Sequence, residues 1–251
     1  MLLATFLLLG LAVIFQAAWW VFVLIFLNWS VIAYFGTTQI RSNFHVEAFG
    51  FAENHPRKEI AITFDDGVLN PQQSNLVLDV LKAYKVPATF SCIGKNLESA
   101  AQIEVLKRMD KEGHLIGNHS YSHSNFFDFF SADKVREEII HTDNIIQQHI
   151  GKKPLLFRPP YGITTPNIAK ALKTLDHKTI GWSLRSLDTV IKEENKLLER
   201  VKKKLKPGDV LLFHDHLDCQ PAFLKIFLEY LLKEGYSVVG VDALLRIKPY
   251  F

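Results

Sequence analysis

After Glu59, one pattern of apolar and polar positions repeats along the chain. A short apolar run leads into a polar loop, and then into a longer stretch with apolar residues at helical spacing. The short runs predict buried strands at Ile60–Phe64, Ala88–Ile93, Leu115–Gly117, Leu155–Phe157, Thr179–Trp182, Val210–Phe213 and Tyr236–Val239. The longer stretches predict helices over Gln72–Tyr84, Ala100–Glu112, Ser131–Ile150, Thr165–Leu175, Glu194–Leu205 and Pro221–Glu234.

Seven strands alternating with helices predict an α/β fold with a parallel sheet and helical crossovers. We expect this sheet to form a barrel of the (β/α)7 type. Ser131 is placed as a helix N-cap, and Gly113 and Gly235 stand where a helix ends before a strand. The predicted organisation is a membrane segment over 1–36, a linker over 37–58 and a globular domain over 59–251.

The amino-terminal segment is apolar throughout. No Lys, Arg, Asp, Glu or His occurs from Leu2 to Phe35. This run exceeds the ~20 residues that a helix needs to cross a bilayer, and the ~7–15 apolar residues of a secretory signal. It predicts either one long helix or, as we favour, a hairpin that turns near Gln16–Trp20, because paired tryptophans suit the membrane interface.

Basic residues after the apolar run bear on which side of the membrane the globular domain lies. Arg41, Arg57 and Lys58 follow the apolar run and favour the cytoplasmic side by the positive-inside rule. The alternative is the extracytoplasmic side.

Composition and charge narrow the classes of function. The net charge of +3 is small, and no basic run is long enough to suggest nucleic-acid binding. Lys202–Lys206 is the densest basic stretch, and its spacing from Leu197 and Val201 predicts a solvated helix face, with a contact to a polyanion or lipid as the alternative. Cys92 and Cys219 are isolated, which supports neither a disulfide framework nor a cysteine zinc site.

Polar residues of unusual kinds stand where the predicted strands end. They are Asp65 and Asp66, His119 and His123, Arg158, Asp188, and His214. In parallel barrels the catalytic groups lie where strands lead into helix-bound loops. We therefore expect these side chains to converge on one face of the barrel.

Two pairs among them suit a metal site. Asp65 and Asp66 are adjacent in extended backbone, so their side chains point apart and can take different roles. His119 and His123 are four residues apart, and on a helical turn they would share a face. Two imidazoles and one carboxylate with open positions form a catalytic metal set.

Arg158 and His214 are the remaining outliers. Two prolines after Arg158 hold the backbone extended, and the natural partner of its guanidinium is one of the acidic pair. His214 ends an apolar strand, and beside Asp188 it can be held protonated as a catalytic acid.

Together these residues resemble the NodB-like polysaccharide deacetylases, carbohydrate esterase family 4, from about Glu59 to Leu245. The quoted motifs are T-F-D-D-G at Thr63–Gly67, H-S-Y-S-H at His119–His123, R-P-P-Y-G at Arg158–Gly162 and L-F-H at Leu212–His214.

The resemblance implies a distorted (β/α) barrel with one divalent metal, usually Zn²⁺, although the same ligands accept Co²⁺, Ni²⁺ or Fe²⁺. It implies that Asp66, His119 and His123 hold the metal, and that Asp65 is the general base for the attacking water. It also implies that His214 protonates the leaving amine. The implied supporting roles are Arg158 orienting Asp65, Asp188 orienting His214, the Tyr161 amide stabilising the oxyanion, and Leu212 lining the acetyl pocket.

The fourth motif departs from the family pattern D-x-x-D-W. Asp188 keeps the second aspartate, but Arg185 replaces the first and Thr189 replaces the tryptophan. This change affects substrate identity more than chemistry, and it suggests that Arg185 meets an anionic group such as a lipid-linked phosphate.

Three functions follow as hypotheses. The first is removal of N-acetyl groups from an N-acetylated sugar polymer such as peptidoglycan, a chitin-like polymer or an exopolysaccharide. The second is deacylation or deformylation of a polyprenyl-phosphate-linked amino sugar. The third belongs to another class, a non-catalytic membrane-anchored protein that binds sugar.

Overall fold

The computed structural model describes residues 2–14 and 18–251, and its centre is one curved sheet. Its strands are β1 (Ala48–Phe49), β2 (Glu59–Gly67), β3 (Thr89–Cys92), β4 (Leu115–Asn118), β5 (Leu156–Phe157), β6 (Lys178–Ile180), β7 (Leu184–Arg185), β8 (Val210–His214) and β9 (Ser237–Val238). Its helices are α1 (Leu2–Ile14), α2 (Trp19–Thr38), α3 (Pro71–Tyr84), α4 (Ala100–Lys111), α5 (Ala132–Ile150), α6 (Pro166–Leu172), α7 (Glu194–Lys204), α8 (Gln220–Lys233) and α9 (Val241–Leu245).

The strands pair in parallel in the order β1-β6-β5-β4-β3-β2-β8-β7, with β9 beside the start of β2. Between the described strands β1 and β7 no ladder forms, so the sheet is an open barrel. A short bridge from Phe51 to Asp209 spans this opening. The predicted α/β fold with parallel barrel strands is confirmed; the two-residue strands β1 and β7 were not predicted.

Alternation along β2 divides its side chains between two layers. Ile62 and Phe64 point outward into the main core, where Phe64 stacks on Phe90 at 5.1 Å between ring centroids. Thr63 and Asp65 point into the barrel, because successive side chains of a strand alternate. Burial of each large apolar side chain stabilises the fold by about 1.5–3 kcal/mol. The outward layer therefore holds the strand in place while the inward layer carries polar groups.

Local signals fix the helix ends. Ser131 caps α5 by accepting a hydrogen bond from the Lys134 N–H, as predicted. Gly113 and Gly235 follow α4 and α8 with φ of +84° and +73°, a conformation that costs glycine little.

The amino-terminal run is divided into two helices, α1 and α2, which contact each other. The predicted turn at Gln16–Trp20 lies partly outside the described residues; within them, Ala18 is extended and ends any continuous helix. In the described part of the chain, α2 alone has the length and hydropathy suited to crossing a membrane. The mean hydropathy of its most apolar 18 residues is 1.7, and 6% of them are buried. Large apolar side chains of both helices are exposed, among them Phe6, Trp19 and Phe26.

The end of α2 is attached firmly to the barrel. The Thr164 N–H donates to the Thr37 carbonyl at 3.1 Å, and Ile40 is buried against Gly181. The segment 37–58, predicted as a linker, thus contributes β1 to the sheet; the domain boundaries themselves stay predictions.

Candidate active site

The inward polar residues meet at the carboxyl end of the sheet. Parallel pairing of β2 with β8 sets Asp65 opposite His214, two residues beyond the pair of Thr63 and Leu212. Neighbouring strands end at Cys92 and Asn118, so the loops that follow them open on the same edge. The convergence predicted from strand ends is therefore present in the structure.

Asp65 is held by a buried arginine. Arg158 is 1% exposed, and its Nη1 donates to Asp65 Oδ1 at 2.7 Å and to Thr63 Oγ1 at 2.8 Å. Its Nε and Nη2 donate to the carbonyls of Ile180 and Gly181. Burial alone would raise the pKa of Asp65, but the charge of Arg158, with His119 and His214, lowers it below its ordinary value. Asp65 is therefore an ionised carboxylate at neutral pH.

Asp66, His119 and His123 form a compact group that could hold a metal ion. One ligand atom from each lies within 4.8 Å of the others, and Asp66 Oδ1 is 3.8 Å from His119 Nε2 and 3.7 Å from His123 Nε2. A φ of +63° at Asp66 breaks the strand geometry, so this carboxylate turns towards the imidazoles. Two imidazoles and a carboxylate with room for further ligands match the donor set of catalytic zinc.

Protonation states also suit a metal. His119 Nδ1 lies 2.7 Å from the Arg158 carbonyl, so it donates there and leaves Nε2 with a free lone pair facing Asp66. Burial, and to a lesser extent the electrostatic effect of the neighbouring His119, lowers the pKa of His123 to about 4. His123 is thereby set up as a neutral ligand. The described residues fit one divalent cation.

The expectation of a helical turn between the two histidines is wrong. Residues 119–123 form an irregular loop, with φ of +65° at Ser120 and +46° at His123. Glu138 of α5 holds this loop, because its Oε2 accepts hydrogen bonds from the N–H groups of Tyr121 and Ser122 and from the Ser122 hydroxyl. The histidines converge through these loop contacts.

His214 is paired with Asp188 on the other side of Asp65. Asp188 Oδ1 lies 2.9 Å from His214 Nδ1, and its Oδ2 accepts from the His214 backbone N–H at 2.7 Å. Burial lowers the pKa of His214, but the hydrogen bond and charge of Asp188, with Asp65 and Asp66, raise it above the ordinary value. The imidazole is therefore held towards its protonated form.

Tyr161 and Leu212 border the same site. Tyr161 adopts φ of +59° in the turn Pro160–Gly162, so the extended backbone expected there continues only through Pro159. The Tyr161 ring lies 4.7 Å from that of His123, and its hydroxyl donates to Asn125. Leu212 is 3% exposed and stands on the inward face of β8 beside His214.

The two altered positions of the fourth motif lie at the edge of the site. Arg185 is exposed at the end of β7, and Thr189 donates its N–H to Asp188 Oδ1. Trp182 instead supplies an indole near the site, 5.7 Å from the Arg158 guanidinium.

Several supporting residues were not predicted. Besides Glu138, Asn118 donates a buried hydrogen bond to Asp143 and accepts one from the Ser120 N–H at the start of the histidine loop. His177 Nε2 lies 3.0 Å from the other oxygen of Asp143, without hydrogen-bond geometry. Asp215 is fully buried, and burial raises its pKa to about 7. Polar spacing on α5 offered a weak signal, since Glu138 and Asp143 stand among apolar positions.

Comparisons with known proteins agree with this geometry. A family model for polysaccharide deacetylase matches residues 52–180. The chain is 36% identical over 197 residues to a peptidoglycan-N-acetylglucosamine deacetylase of Bacillus cereus, covering 76% of this chain and 90% of that one. It is 32% identical over 196 residues to the peptidoglycan-N-acetylmuramic acid deacetylase PdaA of Bacillus subtilis, covering 76% and 73%.

Among solved structures, the Bc1960 peptidoglycan N-acetylglucosamine deacetylase aligns with TM-score 0.73 and 30% identity, over 80% of this chain and 94% of that one. Sequence and fold agree across the barrel that carries the site. The chain therefore belongs to the polysaccharide deacetylase family, the metal-dependent carbohydrate esterases of family 4.

Proposed function

We propose that this protein is a membrane-anchored, metal-dependent N-deacetylase of a peptidoglycan-like glycan. The observation that carries the proposal is that two side chains with oppositely shifted pKa values, Asp65 and His214, lie beside the candidate metal ligands. Against the effect of burial, Arg158 lowers the pKa of Asp65 and Asp188 raises the pKa of His214. A protein that only binds sugar needs neither group, which disfavours the non-catalytic alternative.

In the proposed mechanism, Asp66, His119 and His123 hold the divalent metal. When bound, the metal polarises the acetyl carbonyl and makes water a better nucleophile near neutral pH. Zinc suits this donor set best, and cobalt, nickel or iron also fits it.

Proton transfer is assigned to the chain's own side chains. Asp65 accepts a proton as the water oxygen bonds to the carbonyl carbon, and the Tyr161 N–H supplies a donor for the negative charge on the carbonyl oxygen. His214 then gives its proton to the amide nitrogen as the C–N bond breaks. Acetate and the free amine leave, and Leu212 lines the space for the acetyl methyl group.

Membrane anchoring rests on exposed apolar surface. α1 and α2 present large apolar side chains outward, and little of α2 is covered by protein. Such a surface far exceeds what a soluble protein normally exposes and marks a membrane or partner contact.

The direct test is acetate release by full-length protein in detergent, stripped of metal and reloaded with Zn²⁺, on N-acetylglucosamine oligomers. We expect release that a chelator abolishes, that Asp65→Asn reduces at least a hundredfold, and that the surface variant Asp133→Asn leaves unchanged. Absence of release from the loaded wild type, or equal release by Asp65→Asn, would overturn the proposal.

A further inference from the structure

A cavity of about 370 Å³ lies between the end of α2 and the catalytic edge of the barrel, and all its charged side chains are basic. One wall is the segment 38–41, the opposite wall is Tyr161 with the segment 182–185, and α7 contributes the third. The cations are Arg41, Arg185, Arg200 and Lys204. Of the described residues that line this cavity, none is acidic.

These cations are not neutralised by ion pairs. Among the described residues, no carboxylate oxygen lies within 4.0 Å of a charged nitrogen of any of the four, whereas Lys196 and Lys202 of α7 pair with acidic neighbours at 2.6 and 2.5 Å. Arg200 donates instead to the main-chain carbonyls of Ser186 and Arg185. Arg41 lies over the Phe51 ring, and its charge lowers the pKa of Asp209 against the effect of burial. Among the described residues, Arg185 and Lys204 have neither an ion pair nor a side-chain hydrogen bond, so their positive charge is available to a ligand.

The cavity adjoins the reaction centre. Tyr161 lines it and also contacts the ring of His123, at 4.7 Å between centroids. Trp182, another lining residue, lies against the Arg158 guanidinium. An anion in the cavity would therefore stand beside a sugar at the active site.

The cavity also adjoins the proposed membrane surface. Its wall at Thr38 is the last residue of α2, and the Thr37 carbonyl is bonded to the turn after Tyr161. The end of a membrane-spanning helix lies near the bilayer interface, where lipids carry their anionic phosphate groups. A phosphate on a lipid would therefore stand at the level of this cavity.

We propose that the cavity binds the phosphate of a lipid-linked substrate, so that the enzyme deacetylates a sugar chain still joined to its lipid carrier. This inference rests on the proposed function. Arginine and lysine are the usual partners of phosphate, and four cations suit a dianionic phosphate or a diphosphate better than one carboxylate. A neutral sugar polymer offers them no partner.

The test compares two synthetic substrates with the same N-acetylglucosamine dimer and the same lipid, one joined through phosphate and one through a neutral ether. Full-length protein is assayed in phosphatidylcholine nanodiscs. We expect a kcat/KM at least tenfold higher for the phosphate-linked substrate, and loss of most of this preference in Arg185→Ala and Lys204→Ala. Arg185→Lys should restore part of it, and rising salt should weaken it by screening.

Lys203→Ala is the matched control, because Lys203 neighbours Lys204 but does not line the cavity. Its preference should equal that of the wild type. Equal kcat/KM for both substrates in the wild type, with acetate released from each, would overturn the phosphate site but leave the proposed function standing. No acetate from either would instead defeat the proposed function.

A second arm separates bilayer phosphate from substrate phosphate by repeating the assay in phosphatidylglycerol nanodiscs. Substrate binding predicts that the preference persists there. If Arg185→Ala instead alters turnover of the ether-linked substrate, and does so only in the anionic nanodiscs, the cavity holds bilayer headgroups and the assignment to the substrate fails.

Discussion

Replacing Arg158 by methionine should destabilise the barrel strongly and in a pH-dependent way. The side chain is 1% exposed and donates to four oxygens, one of which belongs to the 5%-exposed Asp65. Removing one partner of a buried ion pair costs about 3–5 kcal/mol, because the other charge stays buried without compensation. We expect Arg158→Met to lower the free energy of unfolding by this amount at pH 7.

The pH dependence follows from the causes of the pKa of Asp65. In the wild type Arg158 keeps this pKa below its ordinary value, so the contribution of the pair is complete above the unfolded pKa and is lost as pH falls through the folded one. Without Arg158, burial dominates and raises the folded pKa. As pH falls, protonation of Asp65 then removes the uncompensated buried charge. The loss of unfolding free energy in Arg158→Met should therefore be smaller at pH 5 than at pH 7.

Cys92 supplies an assay that reports on the barrel alone. Its thiol is fully buried, so in a Cys219→Ser background maleimide labels it only after the barrel opens in urea. The proposed membrane helices carry no cysteine, and full-length protein in micelles can be used. Midpoints of labelling give the change in unfolding free energy by linear extrapolation.

Two further variants decide whether the pair is responsible. Asp65→Asn combined with Arg158→Met should cost about 2–3 kcal/mol less than the sum of the single variants, since neither then leaves a lone buried charge. Arg136→Met, which breaks an exposed pair with Asp133, should cost less than about 1 kcal/mol. A deficit below about 1 kcal/mol for Arg158→Met, or one equal at pH 7 and pH 5, would refute the reasoning.

Three other predictions concern the site. Asp188→Asn removes the charge that raises the pKa of His214, so the alkaline limb of the kcat/KM profile should move to lower pH; an unmoved limb in acetate-release assays would contradict the acid role. Glu138→Ala loses an acceptor of three hydrogen bonds from the histidine loop and should weaken metal binding about 10–100-fold in a metal titration, while Glu137→Ala at the exposed neighbouring position should not. Gly162 has a φ of +69°, and Gly162→Ala places a methyl group in steric overlap with the indole of Trp182. The change should lower the free energy of unfolding by more than about 2 kcal/mol in the urea assay; a loss under about 1 kcal/mol would show that the indole moves freely.

Much of the fold could be predicted because its signals are local. A buried strand such as β2 is a continuous apolar run, and α5 begins at a serine cap, so both are visible within a short window of sequence. The strands β1 and β7 have two residues each, too few to show any periodicity. They were missed because distant strands determine their pairing.

The same distinction applies to the site. Asp65 and His214 stand at ends of apolar runs, where an ionisable residue is conspicuous. Glu138 stands on an amphipathic helix, where a carboxylate is ordinarily solvated. Only the fold brings it into contact with Ser122, which lies 16 residues earlier in the sequence. Supporting residues of this kind require the tertiary structure for their identification.

The basic stretch after Leu197 shows how position changes the meaning of charge. As a sequence it predicts a solvated face, and Lys202 does pair with a neighbouring glutamate on that face. One turn of α7 brings Arg200 and Lys204 to the end of α2, where Arg41 arrives from a distant part of the chain. Because Thr37 is bonded to the barrel, the proposed anchor is a fixed support and holds these cations at one depth. A site fixed in this way reaches glycans at the membrane surface, which favours substrates still attached to their lipid over polymer far from the membrane.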